Sequence, residues 1–284
     1  MLTNVVRIVK QKYIRSTLNS SQIKLLELVY KYRFVSRQLV ANSLGIKYGS
    51  SLHERLEVLV KNEYLGRRFE KQLKLQGIPA AYYLTPRGLR ALQSLPGHEA
   101  ITASVIKGSY NDKTVGMSFV AHTLNIYKYT SLLMQHYPSL KVFSKRDIAR
   151  YNYFPSQLPD AVLSLSVNGA EHPTRFFFDL VSDSTPYTSL DRRIENYCEF
   201  FDEGGWSVTK SEVPVVLLLS EWSATEKIIQ RRVRLQLARS DMEELRVYTT
   251  TANAIRAVAD NLEIWTDIQD TDELVSLTDI SVNP

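Results

Sequence analysis

One cysteine, Cys198, stands in a chain of 284 residues, so no internal disulfide can form. The five histidines, His53, His98, His122, His136 and His172, show no metal-ligand spacing with it, which argues against a structural zinc site. Cys198 falls in a helical pattern beside Tyr197 and Phe200, where a small buried hydrophobe is expected rather than a nucleophile. Long apolar runs are missing too. The strongest covers residues 213–219 and is interrupted by Pro214, far short of the roughly 20 residues a bilayer-spanning helix needs. Arg7, Lys10, Lys12 and Arg15 are followed by no apolar segment or small-residue cleavage site, so a cytoplasmic protein with no membrane partner is expected. What is present is ordinary for a packed protein: 44% hydrophobic and 23% charged residues predict a core rather than disorder.

Charge is unevenly spread. Residues 1–95 carry 17 Lys and Arg against 5 Asp and Glu, and the remaining 189 carry 18 against 25. The overall +5 therefore joins a basic module to a mildly acidic one, and the basic half is suited to phosphate and counterion release.

Within the basic half, Ser20 and Ser21 offer N-caps for a first helix carrying Ile23, Leu25, Leu26, Leu28 and Val29. A second short helix follows Ser36 and ends at Gly45. A third begins near Ser50, with Leu52, Leu56, Leu59 and Val60 at i, i+4, i+7 and i+8. Lys47, Ser50, Ser51, Glu54 and Lys61 then face outward, with His53 and Arg55 on the flanks. Two β-like runs around a Gly-containing basic loop follow, carrying Arg67, Arg68, Lys71 and Lys74, and Thr85-Pro86-Arg87-Gly88 caps a further helix. Of Tyr82 and Tyr83, one is expected in the core and the other half-exposed. This order predicts a winged helix-turn-helix over residues 1–95. Ser50, Ser51 and Arg55 are its candidate base-edge residues, Lys47 and His53 stand beside them in the DNA-binding set with His53 read as a flank or packing residue rather than a base reader, and Arg67, Arg68, Lys71 and Lys74 are its candidate phosphate contacts on duplex DNA. A winged helix used only for protein contacts is the alternative; the concentration of positive charge favours DNA.

Residues 96–116 read as a linker. A helix over 117–136 precedes β-like runs at 141–148, 161–167 and 175–181, the last two separated by Asn168-Gly169. Thr185-Pro186 opens another helix, 213–219 suits a strand buried on both faces, and helices over 224–238 and 252–260 flank a strand near Val247. The acidic stretch 267–284 is expected to be an exposed tail.

Helix, three strands, helix, strand is the core order of the restriction-endonuclease-like, or PD-(D/E)XK, fold, so residues 117–266 are expected to form an α/β domain of that kind. Pro159-Asp160 opens the second strand and Asp179-Leu180-Val181 ends the third. In such an active site two carboxylates hold Mg²⁺ or Mn²⁺, and a Lys two residues after the second stabilises charge on oxygen. Val181 occupies that position here. Arg192 and Arg193 could project towards Asp160 and Asp179, but an Arg cannot give up a proton. A vestigial site with no metal and no catalysis is expected.

Together the halves resemble the replication-relaxation family of bacterial mobile elements, a winged helix followed by a degenerate nuclease-like domain. The resemblance rests on Gln22, Tyr82-Tyr83-Leu84-Thr85-Pro86-Arg87-Gly88, His122, Pro159-Asp160-Ala161, Phe178-Asp179-Leu180 and Tyr197, in that order across roughly residues 20 to 220. The family's Glu-Leu-Asp run is replaced by Asp179-Leu180-Val181, with the next acid at Asp183. It implies a non-enzymatic DNA-binding accessory or regulatory protein in replication, relaxation or transfer, with a relaxase or replication protein as partner and a homodimer as a further option. A metal-dependent nuclease with a displaced basic residue and a transcriptional repressor remain alternatives. No His-hydrophobe-His cluster accompanies a Tyr nucleophile, so the chain is not expected to be the relaxase.

Overall fold

The computed structural model describes residues 18–69, 79–167, 172–183, 185–258 and 262–282. It is a mixed α/β protein built on a three-stranded and a seven-stranded sheet.

Helix α1 (Ser20–Tyr32) is capped by Asn19, not by Ser20 or Ser21: the Asn19 side chain accepts from the Gln22 amide at 2.9 Å and Gln22 returns the bond at 3.1 Å. This reciprocal pairing satisfies two orphan donors at the helix start. Strand β1 (Phe34–Ser36) leads into α2 (Arg37–Leu44), capped by Ser36 and closed by Gly45 at φ +60°, the left-handed geometry expected of that glycine. Helix α3 (Ser50–Lys61) buries Leu52, Leu56 and Leu59. Strands β2 (Leu65–Arg68) and β3 (Ala81–Leu84) pair antiparallel, and β1 lies on the other side of β3. Tyr82 and Tyr83 are both buried. The central strand has cover on both faces, which the expectation of one half-exposed Tyr did not allow for. Helix α4 (Pro86–Gln93) is capped by Thr85. A Cβ on Gly88 would lie 2.2 Å from the Tyr64 carbonyl oxygen, so only glycine permits this approach.

Residues 96–116 are not a loose linker. They form α5 (Ala103–Gly108) and a 3₁₀ turn (Ser109–Lys113), with Ile101 and Ile106 buried in the same core as Leu26 and Leu56. Helix α6 (Met117–His136) completes that core: Tyr127 stacks on Tyr32 with centroids 3.7 Å apart, and its hydroxyl donates to the Leu39 carbonyl at 3.2 Å. Phe119 is 40% exposed and lies under the Arg33 guanidinium.

The large sheet runs β10-β9-β8-β7-β6-β5-β4. Strand β4 (Leu140–Ser144), shorter than the 141–148 expected, gives way to a one-turn helix α7 (Lys145–Ile148), because Ser144 and Asp147 form a capping box. Strands β4, β5 (Ala161–Leu165) and β6 (Thr174–Val181) are antiparallel neighbours; Asn168-Gly169 lies outside the described residues. Helix α8 (Tyr187–Asp202) follows, with Pro186 at its N-cap position rather than inside the helix. Its crossover makes β7 (Val215–Ser220) parallel to β6, and α9 (Ser223–Arg239) does the same for β8 (Val247–Thr251). Alternation along the strands splits the core. Phe176, Phe178, Leu217 and Leu219 pack with Tyr129 and Leu133 of α6, whereas Phe177, Val181, Val216 and Leu218 pack with Ile194 and Tyr197 of α8 and Ile229 of α9. Helices therefore cover both faces of the sheet. Cys198 is buried on the second face. Helix α10 (Ala252–Ala257) ends the central part.

The acidic C-terminal stretch is not simply an exposed tail. Strand β9 (Trp265–Asp267) and strand β10 (Leu274–Val275) extend the sheet, helix α11 (Leu277–Val282) follows, and Ile268, Leu277 and Ile280 are buried. These apolar residues, spaced among the acids, anchor the segment; Asp270, Asp272 and Glu273 are exposed. Among the described residues no helix is long and apolar enough to cross a membrane.

One buried acid ties the two sheets together. Asp112, 1% exposed, accepts from Arg33 Nε at 2.8 Å and pairs with Arg146 at 3.7 Å, while Arg146 donates to the Tyr30 carbonyl at 2.9 Å. Replacing Asp112 with Ala leaves two guanidinium groups facing each other. A loss of about 2–3 kcal/mol is expected, below that of a fully buried pair because Arg33 is a third exposed, read as a lower urea midpoint in the intact chain.

Candidate functional site

The strand register brings the two sequence-singled acids together. Ser144 pairs with Ala161, and Ala161 with Phe178. One residue beyond these pairs the same register sets Lys145, Asp160 and Asp179 in a row across the sheet end. Like charges opposite one another are unfavourable, and the row is held by donors from four elements. The Asp160 amide donates to Asp179 Oδ1 at 3.0 Å, and the Leu180 amide to Asp160 Oδ2 at 3.1 Å. Lys145 Nζ lies 2.7 Å from Asp160 Oδ1, and His122 Nε2, from α6, 2.9 Å from Asp160 Oδ2. Arg193 and Tyr197 stand at i and i+4 of α8, on one helix face. Arg193 pairs with Asp179 Oδ1, and Tyr197 donates its hydroxyl to Asp179 Oδ2 at 2.6 Å.

Both carboxylates are almost fully buried. Burial alone would push the Asp160 carboxyl up, but the hydrogen bond from His122 and the charges of Lys145, His122 and Arg193 outweigh it and hold the group well below the usual carboxylate range. Asp179 raises the already high pKa of Arg193, and burial followed by the Asp179 charge pushes the Tyr197 hydroxyl far up. Tyr197 thus stands as a hydrogen-bond donor to Asp179.

All four carboxylate oxygens receive protein donors, two of them permanent cations. A divalent ion between Asp160 and Asp179 would have to displace Lys145 or Arg193, so the donor set does not fit Mg²⁺ or Mn²⁺ as arranged. No cluster of three His, Cys, Asp or Glu suited to a metal occurs among the described residues. Val181 is buried in the apolar cluster of the second sheet face, as its side chain dictates. Arg193 bonds Asp179 directly, whereas Arg192 is exposed and lines the same cleft of about 470 Å³ as Asp160 and Asp179 without an ion pair to either. Lys145, the cation nearest Asp160, was missed in the sequence because it sits 15 residues away and only the β4–β5 pairing brings it round. His122 and Tyr197 were noted there without roles.

On the basic unit, Lys47, Ser50, Ser51, His53 and Arg55 are all exposed around the N-terminal half of α3. Arg55 donates to Ser21 at 3.2 Å and His53 stands 4.0 Å from Glu57. Arg67 is exposed but paired with Glu57. Arg68 departs from expectation: it turns inward, donating to the Val115 carbonyl at 2.9 Å and towards Met117 at 3.3 Å. The Asp112 and Val115 carbonyls hold it against the 96–116 segment, away from a phosphate on the surface. Lys71 and Lys74 lie outside the described residues.

No family model, curated protein or solved structure matches this chain.

The depressed Asp160 pKa sets a pH dependence. Its stabilisation is fully present above the ordinary aspartate value of 3.8 and is lost as pH falls through the lower folded value. Urea midpoints are expected to fall between about pH 5 and pH 2 in the parent and to fall less steeply in Asp160→Asn, which is less stable than the parent at neutral pH. Parallel curves for the two proteins would show that Asp160 is not held ionised.

Proposed function

We propose that the chain is a non-catalytic DNA-binding accessory or regulatory protein of a plasmid or integrative element, acting in replication, relaxation or transfer. In this reading the N-terminal unit is a winged helix that places α3 in the major groove of duplex DNA, and the large-sheet unit is a PD-(D/E)XK-like scaffold for a relaxase, a replication protein or a second copy. The observation that carries the DNA reading is the free face of α3. Leu52, Leu56 and Leu59 are turned inward and Val58 is the one large apolar side chain left exposed on the helix, while Ser50, Ser51 and Arg55, with Lys47 before them, form an exposed polar and cationic edge at the helix N-terminus, where such helices meet base edges. The non-catalytic reading rests on carboxylates already saturated by Lys145, His122, Arg193 and Tyr197.

A metal-dependent nuclease is the second reading, and one observation favours it: Lys145 stands 2.7 Å from Asp160, in reach of the role that Val181 cannot fill, which makes it a better displaced cation than Arg192 or Arg193. Incubation with plasmid, linear duplex and single-stranded DNA in Mg²⁺ and in Mn²⁺ separates the two. We expect no cleavage; cleavage by the parent that disappears in Asp160→Ala establishes the nuclease.

Fluorescence anisotropy with a duplex selected from a random pool, repeated across salt concentrations, tests the DNA interface. Arg55→Ala is expected to narrow the preference for the selected site by about 1–3 kcal/mol. Lys47→Ala should instead weaken all duplexes alike and reduce the salt slope by about 1. Equal duplex affinities for the parent and both variants would remove α3 from the interface.

A further inference from the structure

The cleft between the basic unit and the large sheet has a volume of about 710 Å³ and a marked excess of positive charge. Lys31, Arg33, Lys145, Arg146 and Arg150 line it against only Asp112 and Asp160. The two acids are already committed: Asp112 to Arg33 and Arg146, and Asp160 to Lys145 and His122. That leaves Lys31 and Arg150 with no carboxylate in ion-pair range among the described residues. Arg150 stands over the Tyr151 ring at 4.9 Å, and Lys31 over the Tyr32 ring at 5.5 Å. Lys31 is half-buried at the last turn of α1, and burial pushes its ammonium pKa down, with only the more distant Asp147 opposing the shift. The Asp147 carboxylate is itself taken up by the Ser144 amide and hydroxyl. A partly desolvated cation without a partner is costly, and an anion in the cleft would relieve that cost. Tyr30 and Asn111 also line the cleft and offer further polar groups to a ligand.

We propose that this cleft binds a phosphate ester of nucleotide size, with Lys31 and Arg150 as its phosphate ligands. The volume lies in the range of small-ligand sites, and an ammonium paired with a guanidinium suits phosphate oxygens. The same chemistry is presented by a free nucleotide and by a strand backbone, and a cleft of about 710 Å³ has room for one nucleotide rather than a length of strand, which favours the free nucleotide. The cleft is separate from α3, so the proposal does not depend on how duplex DNA is held.

Isothermal titration of the full-length protein tests it, using ATP, AMP, inorganic phosphate and a short single-stranded oligonucleotide as probes. ATP is expected to bind one to one and more tightly than AMP, with phosphate competing weakly. Lys31→Ala and Arg150→Ala should each weaken ATP by about tenfold or more, the worth of one charge-assisted hydrogen bond. Lys227→Ala, on an exposed position of α9, should leave it unchanged. Circular dichroism confirms that the variants are folded. Absence of ATP binding, or equal binding by all variants, overturns the proposal. Tighter binding of the oligonucleotide than of ATP, lost in the same two variants, overturns the free-nucleotide source in favour of a strand. Duplex affinity measured on Lys31→Ala and Arg150→Ala should match the parent, so a failure of the DNA reading is seen separately in the parent protein.

Discussion

Two aspartates facing each other across the end of an antiparallel strand pair form the constraint around which the large-sheet unit is arranged. Asp160 and Asp179 share a row with Lys145, and burying two carboxylates side by side is costly unless charges and hydrogen bonds compensate them. The compensation arrives from α6 through His122, from the turn after β4 through Lys145, and from α8 through Arg193 and Tyr197. Each of those elements packs on the sheet through its own apolar face.

The junction with the basic unit follows the same rule at a second acid. Asp112 gathers Arg33 and Arg146 from opposite sides, and Tyr127 carries α6 into the core of the N-terminal unit. A fragment ending at residue 95 would lose Ile101, Ile106 and Tyr127 from that core, so the basic unit draws on residues well beyond its charge boundary. The cationic cleft is a by-product of this joint: more positive side chains converge on it than the two acids can neutralise.

Much of the element order was legible in the sequence, because it depends on local signals. The Leu52, Leu56, Leu59 spacing defined α3, Ser36 and Gly45 bracketed α2, and the run at 213–219 marked a strand buried on both faces. The placement of Asp160 and Asp179 as neighbours was also readable from strand order. Long-range partners were not. Lys145 was hidden inside an expected strand that in fact ends at Ser144 through a capping box, and Arg68 looked like a wing cation because nothing local reveals that it bonds the Val115 carbonyl. Polar composition disguised residues 96–116 and the C-terminal stretch. A few apolar anchors, Ile101, Ile106, Ile268, Leu277 and Ile280, were enough to pin each segment, and anchors so sparse leave no periodic pattern.

Lys145, His122, Arg193 and Tyr197 occupy the carboxylate oxygens of Asp160 and Asp179 and leave a metal no open ligand position as arranged. Crystals grown and soaked in Mn²⁺, with diffraction recorded at the manganese edge, address it directly. The account predicts no anomalous peak between the two carboxylates and an intact Lys145–Asp160 contact. A Mn²⁺ ion ligated by both Asp160 and Asp179, with Lys145 or Arg193 swung away, would contradict it.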